Sequence, residues 1–503
     1  HTRFMRSVLV VLALLAWTTV VQAAWLGDET GAVPEVTARD AGAGRTMIEI
    51  AVPGVETGAV VVDGVEHAKV VLPGHVQLLE RGAPQLPYIT TRLAIPDEGT
   101  PQVKIVATEY REYPTRPVVP SKGPIPRTVD PASVSYTFGP AYAGGVFPAE
   151  TAVLGEPYIV RDVRGVNVRL YPVQWDVDRG VLRVLERVTL EVVTTGRGGV
   201  NVKRGGEAPA SAAFAALYGE RFANLGGASK YDVPGEDGPM LVVCYDAFTS
   251  AMQPFVDWKR ERGLDVEMIT TSSVGGTTTG IHDAIQERYD SAEGLTFVIL
   301  VGDGQQLPSY SGAYEGANDD TRFVRLDGSD VYPDALISRI SAQNLTDVQT
   351  QVTKLVTYER DIMGAADWTH MAAGVASNEG NPTDAERMDW IRDDLLAYTF
   401  TDVDRIYQGQ RGSTQMIADA VNEGRSVVNY LGHGSPTAWS SVYFNNNNVH
   451  QLTNTAWPWI IDVACLNGGI GAIGESFDEA WMRAGSPTQP HGAIGVYGSS
   501  TSC

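Results

Sequence analysis

Two residues with catalytic chemistry each stand at the end of an apolar stretch, close to glycines. His433 lies between two glycines and follows the apolar run 427–431. Cys465 follows the run 459–464, and a pair of glycines comes shortly after it. A cysteine attacks as its thiolate, and a neighbouring imidazole helps to generate that thiolate. Together the two residues are typical of nucleophilic catalysis, provided that the fold brings them side by side.

Both apolar runs predict buried strands of a parallel sheet, because such strands form continuous hydrophobic stretches. The carboxyl ends of parallel strands meet at one edge of a sheet, where α/β proteins usually bind ligands. If the two strands are neighbours, the side chains of His433 and Cys465 emerge at the same edge. The glycines leave room for a peptide backbone and bare amides for an oxyanion. The alternative is a buried structural thiol at Cys465 and an incidental turn histidine.

From Met240 onward, predicted strands alternate with predicted helices. This alternation indicates an α/β fold with a mostly parallel sheet that helices cover on both faces. The expected strands are 240–245, 265–270, 295–303, 371–377, 403–408, 426–434, 459–465 and 492–500, and the expected helices are 255–262, 280–289, 347–363, 384–398 and 414–422. We expect two α/β subdomains, 239–362 and 363–503.

The region before the α/β part has a different pattern. Residues 24–205 contain short valine-rich runs that proline and glycine clusters separate, which predicts an all-β domain. Residues 206–238 are expected to form a linker that contains a processing region, as exposed linkers are preferred sites of proteolysis.

The first 23 residues predict a signal peptide. Met5 and Arg6 begin the segment, the apolar run 8–21 follows, and the small residue Ala23 suits cleavage. The run is shorter than the roughly 20 residues that span a bilayer. We therefore expect export by a signal peptide to a secreted or cell-surface location, with no membrane span in the mature form.

Composition excludes several classes of function. The chain has 503 residues and a formal net charge of -22, which argues against nucleic acid as a partner. Its three cysteines contain no CxxC pair, so neither a thiolate zinc cluster nor a disulfide framework is expected.

Several segments resemble the gingipain family of cysteine peptidases. "NYLGHGSPTAW" and "DVACLNGG" resemble the family's histidine and cysteine motifs, and "FVDWKRERGLDVE" and "DALISRIS" resemble other family segments. "GAPQLPYITTRLAIPDEG" resembles the family's propeptide. The resemblance implies a caspase-like α/β fold, preceded by an all-β prodomain.

The resemblance also implies roles for individual residues. Cys465 would be the nucleophile and His433 the general acid and base, and the amides of Gly434 and Cys465 would form the oxyanion hole. Glu379, in "SNEGNP", would orient the histidine, although a solvated loop carboxylate fits the same pattern. Asp389 would lie at the floor of an S1 pocket for arginine, because a guanidinium pairs well with a carboxylate. An ordinary acidic helix face is the alternative for Asp389.

The family's calcium binding suggests a further site. Asp327 and Asp330, with Asp334, surround a glycine in a loop that suits either calcium or a solvated turn. No cofactor is expected to take part in the chemistry.

These features predict a secreted cysteine endopeptidase that is made as a zymogen and acts on protein or peptide substrates, with cleavage after arginine if Asp389 lines the S1 pocket. Its own prodomain is the expected inhibitor, through Arg127 or Arg116. A sorting transpeptidase would use the same dyad with an amine as the acyl acceptor, and an inactive binding scaffold would not use it.

Overall fold

The structure, a computed structural model, divides into two compact units that do not follow chain order. It describes residues 24–28, 30–126, 129–204, 211–225, 238–361, 367–380, 382–471 and 473–502. The first unit comprises His1–Thr91, Gln102–Gly155 and Asn167–Val193, and the second comprises Arg92–Pro101, Glu156–Val166 and Thr194–Cys503. The predicted signal peptide, residues 1–23, lies outside the described residues.

The N-terminal region is rich in antiparallel strands. Its strands are β1 Ala24–Gly27, β2 Glu35–Gly42, β3 Arg45–Ala51, β4 Gly54–Val62, β5 Val65–Val71, β6 Ile89–Ala94, β7 Thr100–Pro114, β8 Val146–Phe147, β9 Ala152–Leu154, β10 Tyr158–Val160, β11 Val163–Leu170, β12 Val173–Asp176 and β13 Val181–Thr195. In the first unit they form sheets with the orders β2-β3-β13-β12-β8 and β1-β4-β5. Alternate residues of β3, such as Ile48 and Ile50, are buried, as expected for strands with one face on a core. The predicted all-β prodomain is confirmed.

The region that follows contains two parallel sheets with helices between their strands. Its strands are β14 Met240–Cys244, β15 Val266–Thr270, β16 Phe297–Val301, β17 Tyr310–Ser311, β18 Asn318–Asp319, β19 Leu336–Ile340, β20 Met371–Ala376, β21 Asp402–Tyr407, β22 Val427–Leu431, β23 Gly434–Ser435, β24 Ala438–Trp439, β25 Phe444–Asn445, β26 Trp459–Val463, β27 Gly485–Ser486, β28 Gln489–Pro490 and β29 Gly495–Tyr497. Its helices are α1 Ala212–Arg221, α2 Thr249–Glu261, α3 Thr278–Tyr289, α4 Leu345–Asp361, α5 Asp384–Tyr398, α6 Ser413–Glu423, α7 Asn446–His450 and α8 Phe477–Arg483. The parallel sheets have the orders β15-β14-β16-β19 and β21-β20-β22-β26-β29, so the predicted α/β fold is confirmed.

Helices cover both faces of the first parallel sheet. Val242 of β14 packs in a core with Phe255 of α2 and with α4. The next residue, Val243, belongs to a separate core with Ile281 of α3. Successive side chains of a strand point to opposite faces, so β14 is buried on both sides. Among the described residues, no helix combines the length and apolar character needed to cross a bilayer.

Two elements depart from the sequence expectation. Residues 206–238 were expected to be a linker, but α1 lies within this range and buries Phe214. Its alanines and leucine are strong helix formers, which favours a helix even in a polar stretch. Strand β19 was not predicted, because its half-exposed residues and its serine and arginine break the apolar run.

An aromatic core supports the second parallel sheet. The fully buried rings of Tyr430 and Trp439 stack with centroids 4.6 Å apart, and those of Phe444 and Trp481 stack at 5.7 Å. Phe477 meets Trp481 edge to face. Aromatic pairs of this kind contribute beyond the area that they bury. The core therefore anchors α8 and the segment that follows β22.

We predict that Trp481→Ala lowers the free energy of unfolding by about 3–5 kcal/mol, because it removes a large buried ring and leaves a cavity. Trp390→Ala is the matched control, since Trp390 is 57% exposed on α5, and it should change stability by less than about 0.5 kcal/mol. Urea denaturation followed by circular dichroism measures both. Equal losses in the two variants would show that the aromatic core has been assigned wrongly.

Candidate active site

The register of two neighbouring strands places His433 beside Cys465. Strands β22 and β26 pair in parallel, with Leu431 level with Val463. Each candidate residue lies two positions beyond the end of its strand. The amide of Gly432 donates to the carbonyl of Val463 at 3.3 Å, which continues the ladder past the strand ends. The two loops therefore leave the sheet together at its carboxyl edge.

Hydrogen bonds hold His433 at both its backbone and its ring. The backbone N–H donates to the Ser441 hydroxyl at 3.0 Å, and the carbonyl accepts from the Tyr430 hydroxyl at 2.7 Å and from the Ser440 amide at 2.8 Å. The ring Nε2 lies 2.7 Å from Oε2 of Glu379. The side chain of His433 is 29% exposed and that of Glu379 is 47% exposed, so both groups reach solvent.

Glu379 is positioned by the start of α5. Its carbonyl accepts from the amide of Asp384 at 2.8 Å, and its amide donates to the Ser377 hydroxyl at 3.3 Å. The Ser377 hydroxyl also bonds to the buried carboxylate of Asp384. The Ser377 amide donates to the carbonyl of Leu431 at 2.9 Å, which ties this loop to β22. The structure thus brings together the predicted histidine and its predicted acidic partner.

The loop that carries Cys465 has a strained backbone. Cys465 is half-buried, and Leu466, the next residue, has a φ of +65°. This left-handed conformation is unfavourable for leucine and is often found at functional sites. The amide of Leu466 donates to the carbonyl of Thr501 at 3.0 Å, and that of Gly468 donates to Ser499 at 2.9 Å. Residues after β29 therefore hold the loop in this conformation.

A buried amide side chain joins the two loops. Asn467 is fully buried, and its Nδ2 donates to the carbonyls of Ser435 at 2.7 Å and Ala438 at 3.1 Å. Nearby, a Cβ atom on Gly434 would lie 2.3 Å from the carbonyl oxygen of Cys465. Only glycine permits this approach. The sequence did not predict this role of Asn467, whose only signal is a polar residue beside the predicted nucleophile.

Two buried acids lie behind this loop. Asp462 is on β26 and Asp478 is on α8, and burial raises the pKa of both carboxyls. The negative charge of Asp462 raises the pKa of Asp478 further. The amide of Asp478 donates to the carbonyl of Asn467 at 3.1 Å. This bond ties α8 to the loop that carries Cys465.

Asp389, the predicted S1 residue, already has partners within the chain. It lies on α5, and its Oδ1 accepts from the Tyr407 hydroxyl at 2.6 Å and from Nε of Arg405 at 2.7 Å. The hydrogen bond from Tyr407, with that from Arg405, lowers the pKa of Asp389. Asp389 is therefore ionised at neutral pH and faces a guanidinium of its own chain.

The predicted calcium loop is engaged in hydrogen bonds. Asp334 Oδ2 accepts from the amides of Leu326 at 2.7 Å and Asp327 at 2.9 Å, and Asp330 Oδ1 accepts from the amide of Tyr332 at 2.9 Å. Burial raises the pKa of Asp334 to about 7. Within the described part of the chain, no group of three or more histidine, cysteine or acidic side chains suits a metal. Calcium at Asp327 and Asp330 stays a prediction.

The fold and this site define a family. Residues 28–205 match the propeptide of family C25 and residues 234–503 match peptidase family C25 itself. The chain belongs to peptidase family C25 and includes the family's propeptide, which confirms the resemblance seen in the sequence.

Individual relatives are gingipains from Porphyromonas gingivalis. Gingipain R1 is 33% identical over 439 residues, which cover 84% of this chain and 44% of the relative. Gingipain R2 is 32% identical over 438 residues, covering 84% of this chain and 59% of the relative. The chain thus spans about half the length of these curated relatives.

Two solved structures are similar as well. The crystal structure of the Arg-specific cysteine proteinase gingipain R has a TM-score of 0.50 and 33% identity, and the match covers 53% of this chain and 63% of that one. The complex of Porphyromonas gingivalis RgpB pro- and mature domains also has a TM-score of 0.50, with 32% identity. This match covers 53% of this chain and 64% of that one.

We predict that Asn467→Ala lowers the alkylation rate of Cys465 by iodoacetamide between about tenfold and 100-fold, because the histidine and cysteine loops lose their shared clamp. The matched control is Asn454→Ala. Asn454 is also buried and bridges two segments, through Ala456 and Gly492. Peptide mapping by mass spectrometry follows each thiol separately. An equal rate of Cys465 alkylation in Asn467→Ala and Asn454→Ala would show that Asn467 does not position Cys465.

Proposed function

We propose that this chain is the zymogen of a secreted cysteine endopeptidase that cleaves peptide bonds through Cys465 and His433. The observation that carries the proposal is the shared register of β22 and β26, with the Glu379 carboxylate 2.7 Å from the imidazole. The similar structure of an Arg-specific cysteine proteinase supports the same chemistry.

In this mechanism, the Cys465 thiolate attacks the carbonyl carbon of the substrate peptide bond. The amides of Gly434 and Cys465 stabilise the oxyanion, and His433 protonates the leaving amine. Water then attacks the acyl-enzyme, with His433 as the general base, and the thiol is regenerated. Because Nε2 of His433 is bonded to Glu379, Nδ1 is the nitrogen that exchanges a proton with the thiol and the leaving group.

The zymogen part of the proposal rests on the propeptide match at residues 28–205. A basic side chain of the prodomain would block a cleft that binds cationic substrates. Arg127, the first candidate, lies outside the described residues. Arg116, the second, forms an ion pair with Glu66 at 2.9 Å and is more than half exposed. Export follows from the predicted signal peptide.

We predict that Cys465→Ala and His433→Ala each lower kcat by about 10⁴-fold or more, because the nucleophile and its base act as a unit. Glu379→Gln should lower kcat less, since the carboxylate only orients the ring. Cys244→Ala is the control, because burial raises the pKa of that thiol to about 12.

Hydrolysis of fluorogenic peptides by the processed protein measures these effects, with and without an added amine. Activity that survives Cys465→Ala would overturn the mechanism. Products joined to the amine in place of water would identify a sorting transpeptidase.

Two variants test whether Asp389 lines the S1 pocket, which binds the substrate residue before the cleaved bond. If Asp389 binds arginine at P1, Asp389→Asn should lower kcat/KM for arginyl substrates by about 10- to 100-fold, through the lost charge-assisted hydrogen bonds. Arg405→Gln should lower KM, because it removes the guanidinium that now occupies Asp389. A preference for large apolar residues at P1, unchanged by Asp389→Asn, would show that the pocket lies elsewhere.

A further inference from the structure

A polar cleft of about 470 Å³ lies at the carboxyl edge of the second parallel sheet, beside the candidate dyad. Three segments line it: Asn378 after β20, residues of loop 408–414 between β21 and α6, and Ser441 with Tyr443 in the segment after β22. The lining side chains carry amides, hydroxyls and one phenol, and none of them is charged. The cleft therefore suits a neutral polar group better than an apolar one.

The order of the strands places the cleft on one particular side of the dyad. Neighbouring strands follow the order β21-β20-β22-β26. Cys465 follows β26 and His433 follows β22, whereas the cleft is lined by the loops that leave β20 and β21. An imidazole must lie within reach of the amine that it protonates. The part of a substrate that carries the leaving amine therefore runs from Cys465 past His433, toward the cleft.

Two glutamines of the cleft have a fixed orientation. Oε1 of Gln408 accepts the amide of Asn378 at 3.2 Å, and Oε1 of Gln410 accepts the amide of Tyr407 at 3.1 Å. A carboxamide combines one acceptor oxygen with a donor NH₂ group. These bonds engage both oxygens, and among the described residues neither Nε2 donates to another group. The two side chains thus offer N–H donors to an occupant of the cleft.

Tyr443 is held at the cleft by an unfavourable backbone. Its side chain is 80% exposed, and its φ is +56°. The residues on either side, Val442 and Phe444, are fully buried in the aromatic core. The hydroxyl of Thr414 donates to the carbonyl of Val442 at 3.0 Å. Strained backbone of this kind is concentrated at functional sites, and here it presents a large ring beside the two glutamines.

The cleft also shares residues with the catalytic loops. Ser441 lines the cleft, and its hydroxyl accepts the backbone N–H of His433 at 3.0 Å. Asn378 lines the cleft and directly precedes Glu379, the carboxylate that lies against the imidazole. The cleft is therefore held in a fixed position relative to His433.

We propose that this cleft is the subsite for a substrate residue on the leaving-group side of the cleaved bond, and that it prefers the amide side chains of glutamine and asparagine. The inference rests on the proposed function and adds a specificity to it. Gln408 and Gln410 donate to the side-chain oxygen of the substrate, and the ring of Tyr443 packs on its stem. An apolar side chain would leave these donors unpaired. A carboxylate would be repelled by the nearby Glu379.

The test compares two kinds of peptide with the linker-processed protein. Peptidyl coumarin amides end at the cleaved bond and place nothing in the cleft, so they report peptidase activity alone and identify the preferred P1 residue. Internally quenched peptides with that P1 residue then carry glutamine or leucine at each of the three positions beyond the bond. At one position we expect glutamine to raise kcat/KM about three- to tenfold over leucine, the effect of about one net hydrogen bond.

Substitutions of the two glutamines test which groups cause the preference. Gln408→Glu and Gln410→Glu each keep an oxygen for the backbone amide but replace the donor nitrogen. In the double variant, the ratio of kcat/KM for the glutamine peptide to that for the leucine peptide should fall to about one, and each single variant should lower it in part. The ratio cancels any general loss of activity. Gln253→Glu is the matched control, because Gln253 forms an exposed hydrogen bond with Asp257 on α2, and it should leave the ratio unchanged.

The outcomes separate this inference from the proposed function. Hydrolysis of a coumarin amide with equal rates for glutamine and leucine at all three positions would overturn the subsite and leave the peptidase in place. A preference for glutamine that persists in the double variant would overturn it as well. If no coumarin amide is hydrolysed, the proposed function fails, and the subsite fails with it.

Discussion

The parallel register of β22 against β26 is the constraint on which the proposed active site depends. It sets Leu431 level with Val463 and so carries His433 and Cys465 off the sheet at the same height. A slip of one residue would turn the side chains of one strand to the other face. The fit of Gly434 against the Cys465 carbonyl and the clamp made by Asn467 both require the observed register. A buried aromatic core fixes the register, because it packs both strands against α8.

The acidic residues of this chain obtain their roles from the donors that the fold presents to them. Glu379 faces an imidazole, Asp389 faces a guanidinium and Asp330 faces a backbone amide. All three side chains are carboxylates. The contact of Glu379 suits a catalytic role, whereas the contact of Asp330 holds the backbone of another segment. In a chain with a net charge of -22, an acidic motif by itself distinguishes these roles poorly, since each depends on contacts between distant segments.

The sequence predicted the fold of the peptidase region well, because its strands are continuous apolar runs with glycines at their ends. The prediction for α5 matches the structure at both ends, Asp384 and Tyr398, since a threonine cap and a Glu at the third position mark its start. The sequence did not predict the bridging contacts of Asn467 or the left-handed backbone of Leu466. It also did not predict the bond between Ile159 and Asp330. Each depends on where a neighbouring segment of the chain lies, and residues such as Ile159 and Asp330 are far apart in sequence. The family resemblance predicted Glu379 as the partner of His433. Composition could not, because this contact joins residues that are far apart in sequence.

In the proposed mechanism, Cys465 and His433 act together as one catalytic unit. Covalent labelling distinguishes a joint from a separate role, when the linker-processed protein is treated with a peptidyl chloromethyl ketone that carries arginine at P1. Peptide mapping by mass spectrometry then locates the adduct. We expect a single adduct on Cys465, and no adduct when the same reagent is added to His433→Ala. An adduct on Cys244 or Cys503, or equal labelling of Cys465 with and without the histidine, would contradict it.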